Sequence, residues 1–153
     1  MQSVIISDSS CLILLINIGE LDILKKLYGQ ILITPEISGE VGEPLPAWIT
    51  IKKARDKKYQ ALINSILDKG ESSAIALAAE YKKPLLIIDD LKARNFAAGI
   101  GINFTGTLGV ILNAKENGII KSVKQTLSLI EKTNFRLSGE LKSLLLTLAG
   151  EEK

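Results

Sequence analysis

Short apolar runs alternate along the chain with longer stretches in which apolar residues recur at helical spacing. Val4–Ser7 is a brief run rich in β-branched residues and reads as a buried strand. Asp8 and Ser9 then offer helix-start chemistry, and the apolar stretch Cys11–Ile18 predicts a buried helix punctuated by Gly19. Leu21, Leu24 and Leu27 keep helical spacing up to Gly29, and Ile31–Ile33 is the next strand candidate. Thr34-Pro35 opens a helix, with Thr as N-cap and Pro at the first helical position, and that helix is expected to end near Gly42. Pro44 and Pro46 lead irregularly to an edge strand, Ile49–Ile51.

The pattern repeats in the second half. A helix from about Lys57 to Leu67 is expected to stop at Gly70, and another to begin at Glu71 and run to about Tyr81. Pro84 precedes Leu85–Ile88, the clearest buried strand. Leu91–Ala98 reads as a helix, Gly99 and Gly101 as a turn, and Ile102–Thr105 as a strand. Three more helices fit Leu108–Glu116, Val123–Glu131 and Leu141–Leu148. Strands alternating with helices imply an α/β fold with a parallel sheet covered on both faces.

Composition narrows the chemistry. With 153 residues and 46% hydrophobic content, the chain suits a single domain over residues 1–153. Its net charge of +2 gives no argument for a nucleic-acid partner by itself. Cys11 is the one cysteine, so an intramolecular disulfide is excluded and a reducing, cytoplasmic setting is expected. Because the chain has no histidine, a histidine base, a Ser-His-Asp triad and an imidazole metal site are excluded too. The apolar run Cys11–Ile16 is too short for a membrane span and lacks a basic flank, so no membrane association is expected.

Acidic residues carry the candidate chemistry. Ligands of a parallel α/β sheet bind at the carboxyl ends of its strands. Two runs put acids there, Val4-Ile5-Ile6-Ser7-Asp8 and Leu85-Leu86-Ile87-Ile88-Asp89-Asp90. Glu40 lies in the Thr34-Pro35 helix, and Glu71 in the first turn of an Ala-rich one. Oxygen-only donors select hard cations, chiefly Mg²⁺ or Mn²⁺, which can activate water for phosphoryl displacement. Taken singly, each acid has an ordinary explanation. Asp8, Asp89 or Asp90 can be helix N-caps worth about 1 kcal/mol, Glu71 can complement a helix dipole, and Glu40 can be a solvated helix acid. Cys11 reads as a small buried apolar residue.

At these residues the sequence resembles the PIN domain family. Val4-Ile5-Ile6-Ser7-Asp8-Ser9-Ser10 is similar to the family's opening strand and Asp-x-Ser/Thr signature, and Glu40-Val41 to its second acid. Gly70-Glu71-Ser72-Ser73-Ala74-Ile75 resembles the run with the third acid, and Ile88-Asp89-Asp90 with Ala93-Arg94 the segment with the fourth. Gly106-Thr107-Leu108-Gly109 is similar to a turn of one PIN-like subgroup.

That resemblance implies a Rossmann-like, three-layer α/β sandwich with a central, mostly parallel sheet. It also implies an endoribonuclease that hydrolyses single-stranded RNA with Mg²⁺ or Mn²⁺, many such proteins being homodimeric toxins paired with an antitoxin protein. By it, Asp8, Glu40, Glu71 and Asp89 hold the metal, with Asp90 competing for the fourth place. Ser10 and Thr107 are hydrogen-bonding support.

On the substrate side, Lys52 and Lys53 belong to the densest basic cluster, and Lys92 with Arg94 follows the last acids, where a phosphate backbone would be drawn. The alternative from the same resemblance is a catalytically weak PIN-like module that binds RNA or protein. A phospho-accepting receiver domain ranks third, because its acidic pair belongs on the first strand and here the single acid comes first.

Overall fold

The computed structural model describes residues 3–151, so Met1, Gln2, Glu152 and Lys153 of the expected domain lie outside the described residues. Five strands form one sheet in the order β3-β2-β1-β4-β5. They are β1 (Val4–Ser7), β2 (Ile31–Ile33), β3 (Ile49–Ile51), β4 (Pro84–Ile87) and β5 (Asn103–Thr105). Every pairing is parallel, with Ile6 aligned to Leu32 on one side and to Leu86 on the other. The expected sheet is therefore found. Strand β4 opens at Pro84, one residue early, which proline tolerates at the first position of a strand.

The helices are α1 (Ser9–Asn17), α2 (Asp22–Tyr28), α3 (Pro35–Val41), α4 (Lys57–Asn64), α5 (Lys69–Ala78), α6 (Leu91–Gly99), α7 (Thr107–Glu116), α8 (Val123–Ile130) and α9 (Gly139–Leu148). Helix α5 packs on β1 and β4, α2 on β2, and α6 on β5. Among the described residues no helix is long and apolar enough to cross a membrane.

The start of α5 corrects the reading of Gly70 as a stop. Asp68 caps the helix by accepting from Glu71 N at 3.0 Å, so Gly70 sits inside the first turn. Helix α1 also starts early, at Ser9, because the Asp8 side chain caps it by accepting from Cys11 N.

The main core surrounds the sheet, with Ile6, Leu12, Leu15, Ile75, Leu86 and Ile87 fully enclosed. Each such side chain contributes about 1.5–3 kcal/mol by leaving water. A smaller apolar cluster of Leu14, Ile111, Val123, Leu127, Ile130 and Leu145 fastens α8 and α9 to α7. Glu151 closes that region. It accepts from Val123 N at 2.6 Å and Lys124 N at 2.9 Å, and pairs with Lys115 at 2.9 Å. Burial alone would raise its carboxyl, but Lys115 and the donors of α8's first turn outweigh that and lower it to about 2.

Candidate metal centre

Because all strands run the same way, the chain segments leaving β1 and β4 emerge side by side at one end of the sheet. Asp8 follows β1 directly. Its backbone N–H donates to Ile87 O at 2.9 Å, which continues the ladder one residue past the strand. Its side chain bridges the two segments: Oδ1 accepts from Cys11 N and Oδ2 accepts from Asp89 N, both at 3.0 Å. Asp8 is thus the N-cap of α1 and also the group that fixes the backbone after β4.

Asp89 faces the same space. Thr107, the first residue of α7, donates its backbone N–H to Oδ1 at 2.8 Å and its hydroxyl to Oδ2 at 2.5 Å. Gly106, at the N-cap of α7, has no side chain to satisfy that helix end, so Asp89 supplies the anion there. A Cβ at position 106 would run into the Arg94 guanidinium and come within 2.8 Å of Asp89 Oδ1. Any larger residue there would displace the Arg94 guanidinium from Asp89. Asp90 is exposed and caps α6 through Ala93 N at 3.0 Å, close enough for its charge to act on Glu71.

Glu40 comes in from α3. It is exposed, and its Oε1 accepts from the Ser9 hydroxyl at 2.6 Å. Its carboxylate lies over Gly70, where a Cβ would stand 2.7 Å from Oε1. Thr34 Oγ1 and Ser73 Oγ share a buried 2.6 Å hydrogen bond that ties the start of α3 to α5. Glu71 stands half-exposed in the first turn of α5.

The electrostatics follow from this crowding. Burial, then the charge of Asp89, raises the Asp8 carboxyl to about 7, although two backbone N–H groups pull the other way. Burial, then the charges of Asp68 and Asp90, raises Glu71 to about 7. Among the described residues the ion pairs are Lys115–Glu151 and Lys142–Glu131, and neither reaches these acids. Negative charge is gathered here with no ion pair to it among the described residues, and Arg94, across Gly106 from Asp89, is the cation that stands near it.

The other expected residues are placed as follows. Thr107 meets Asp89 as anticipated, whereas Ser10 is exposed and its neighbour Ser9 makes the bond to an acid. Lys92 is exposed on the first turn of α6. Arg94 donates Nε to Ile88 O at 2.8 Å and lies 5.4 Å from the Phe104 ring centroid. Lys52 and Lys53 are exposed away from the acids: Lys52 rests on Tyr81, just past the end of α5 opposite to Glu71. At 1.5 Å rise per helical residue, that separation is on the order of 15 Å. Cys11 is fully enclosed, and burial pushes its thiol well up.

Asp68 is a contributor that sequence reasoning passed over, and Ser9, read only as a helix-start residue, proves to hold Glu40. The Asp68-x-x-Glu71 spacing was the available signal for one of them, as a helix-start pattern.

The donor set fits a hard cation. Among the described residues no three Asp, Glu or Cys side chains are grouped tightly enough to hold a metal ion by themselves. Mg²⁺, however, keeps several waters and is commonly held by one or two carboxylates. Asp8 and Asp89, joined through backbone and forming no ion pair, meet that requirement, with Glu40 and Glu71 beside them.

A parallel sheet in this order, with paired acids past its two central strands, defines a Rossmann-like α/β domain with an acidic centre. The family model DUF3368, a PIN domain, matches residues 4–151, and the chain belongs to that family. PIN domains are generally nucleases, hydrolases that act with divalent metal ions. No curated protein matches the chain.

Proposed function

We propose that the protein is an endoribonuclease that hydrolyses phosphodiester bonds of single-stranded RNA with Mg²⁺ or Mn²⁺. The observation that carries this reading is the Asp8–Asp89 pair at the ends of β1 and β4, whose charges go uncompensated by any lysine or arginine ion pair among the described residues. Asp8 and Asp89 would hold the cation, and Glu40 and Glu71 would reach it through its retained waters. Bound there, it would neutralise charge on the phosphate and lower the pKa of an attacking water.

The chain's own contribution is placement. Two backbone donors fix Asp8, and Thr107 fixes Asp89 with two hydrogen bonds, so both carboxylates are oriented before any ligand arrives. Ser9 holds Glu40 toward the same end of the sheet.

The test is cleavage of a mixed-sequence single-stranded RNA with Mn²⁺ or EDTA, by wild type and Asp8→Asn. Cleavage should need the metal and fall more than about a hundredfold in the variant, as expected for losing several kcal/mol of charge stabilisation. Wild-type protein inert with every divalent ion would overturn the reading. The binding-module alternative has one observation in its favour: both Asp89 oxygens are already engaged by Thr107. We extend the first reading to a toxin role with a protein antitoxin and a homodimeric state. Growth arrest on expression, relieved by Asp8→Asn and by a neighbouring antitoxin gene, would support the toxin role. Sedimentation would measure the dimer.

A further inference from the structure

A groove of about 480 Å³ opens beside Asp89. One wall is Arg94, Phe104 and Gly106; the other is Phe135, Arg136 and Leu141, contributed by the segment before α9 and by α9 itself. Its size falls within the roughly 300–1,000 Å³ of ordinary ligand clefts, and one residue, Asp89, belongs both to the groove and to the acidic centre.

The chemistry along it is unlike that of the acids. Arg94 is held in place by its Nε bond to Ile88 O and by the Phe104 ring. Among the described residues no carboxylate forms an ion pair with Arg94 or Arg136. Two guanidinium groups, Arg94 near Asp89 and the exposed Arg136, therefore line a path that starts at a cluster of carboxylates, and neither is tied up in an ion pair. Phe104 lies against Arg94, and Phe135, half-buried against the smaller apolar cluster, turns its remaining surface to the groove.

Resting on the nuclease reading above, we infer that this groove carries the RNA strand next to the cleavage point. Arg94 and Arg136 take the adjacent phosphate, and Phe135 stacks a flanking base. Guanidinium groups suit phosphate through paired N–H donors, and an aromatic face accepts any base without regard to sequence.

The experiment is fluorescence anisotropy with a labelled, 2′-O-methylated RNA octanucleotide in EDTA across a salt series, so that binding is read without cleavage. Arg136→Gln should weaken binding about tenfold and lower the salt slope by about one, the loss of one phosphate contact. Phe135→Leu keeps apolar packing against the smaller core cluster and should weaken binding about five- to tenfold at unchanged slope. Lys26→Ala, on α2, removes a remote charge and should change neither. Melting curves of the variants report folding, and exposed Arg136 gives a test that does not depend on core packing.

Wild-type affinity in both groove variants, beside metal-dependent cleavage by wild type, would overturn the groove and leave the nuclease standing; the groove would then suit a protein segment. Weakened binding in the variants, with no cleavage by wild type, would keep the groove and sink the catalysis. A wild type that neither binds nor cleaves RNA would overturn both.

Discussion

Asp8 and Glu71 at the head of the sheet, and Glu151 beside α8, are all carboxylates fitted to helix starts, yet they titrate in opposite directions. Glu151 meets Lys115 and a fan of α8 donors, and its carboxyl drops to about 2. Asp8 and Glu71 meet burial and other acids, and rise to about 7. Capping geometry alone does not distinguish them, since Asp8 is as well formed a cap as any in the chain. What separates them is, first, burial, which dominates at Asp8 and Glu71 and is outweighed at Glu151 by Lys115 and the α8 donors, and then the acids that neighbour the first two. Glu151 is paired with Lys115, whereas Asp8 and Glu71 form no ion pair.

The largest effect that sharpens this contrast is stabilisation by metal. At a hundredfold excess over its dissociation constant, Mn²⁺ should add about 2.7 kcal/mol to unfolding at pH 8, and Asp8→Asn should remove most of that. In EDTA the sign reverses with pH. The folded-state values of Asp8 and Glu71, about 7, lie above their ordinary 3.8 and 4.5, so the native state holds more protons across that window. Metal-free protein should gain stability as pH falls from about 7 toward 4. A flat EDTA melting profile across that range would break the comparison.

The opposite pole comes next. Glu151→Gln keeps the shape but loses the charge that Lys115 and α8 answer, and should cost about 1–2 kcal/mol at pH 7 in urea unfolding. Its folded value lies below the ordinary 4.5, so the contribution is complete above that pH and fades as pH falls toward 2. Wild type and variant should converge there.

The smallest effect concerns Glu40. Gly70→Ala gains helix propensity, up to about 1 kcal/mol, while its methyl forces the Glu40 carboxylate aside. Melting temperature should hold or rise slightly, and Mn²⁺ affinity by calorimetry should fall. Unchanged affinity would remove Glu40 from the centre.

Much of this was legible along the chain because the deciding interactions are local. Val4–Ser7 with Asp8, and Thr34-Pro35 at α3, declare themselves through β-branching and capping chemistry within a few residues. The choice between Asp89 and Asp90 was not legible, since it is made by Thr107, eighteen positions downstream. The start of α5 was misplaced because Gly70 reads as a stop, while the Asp68 cap places it inside the first turn, under the Glu40 carboxylate. Phe135 and Arg136 carry no local signature at all. Their place beside Asp89 follows from how the segment ahead of α9 and α9 itself settle against α7.

The hydrogen bond from Asp89 N to Asp8 joins positions 81 apart. A nascent chain leaving the ribosome can pair β1, β2 and β3 well before β4 exists, and such distant pairing forms late. Until then the first half carries Asp8 and Glu40 but neither Asp89 nor its Thr107 anchor. On the nuclease reading, a half-made copy therefore lacks one of the two carboxylates that would hold the cation.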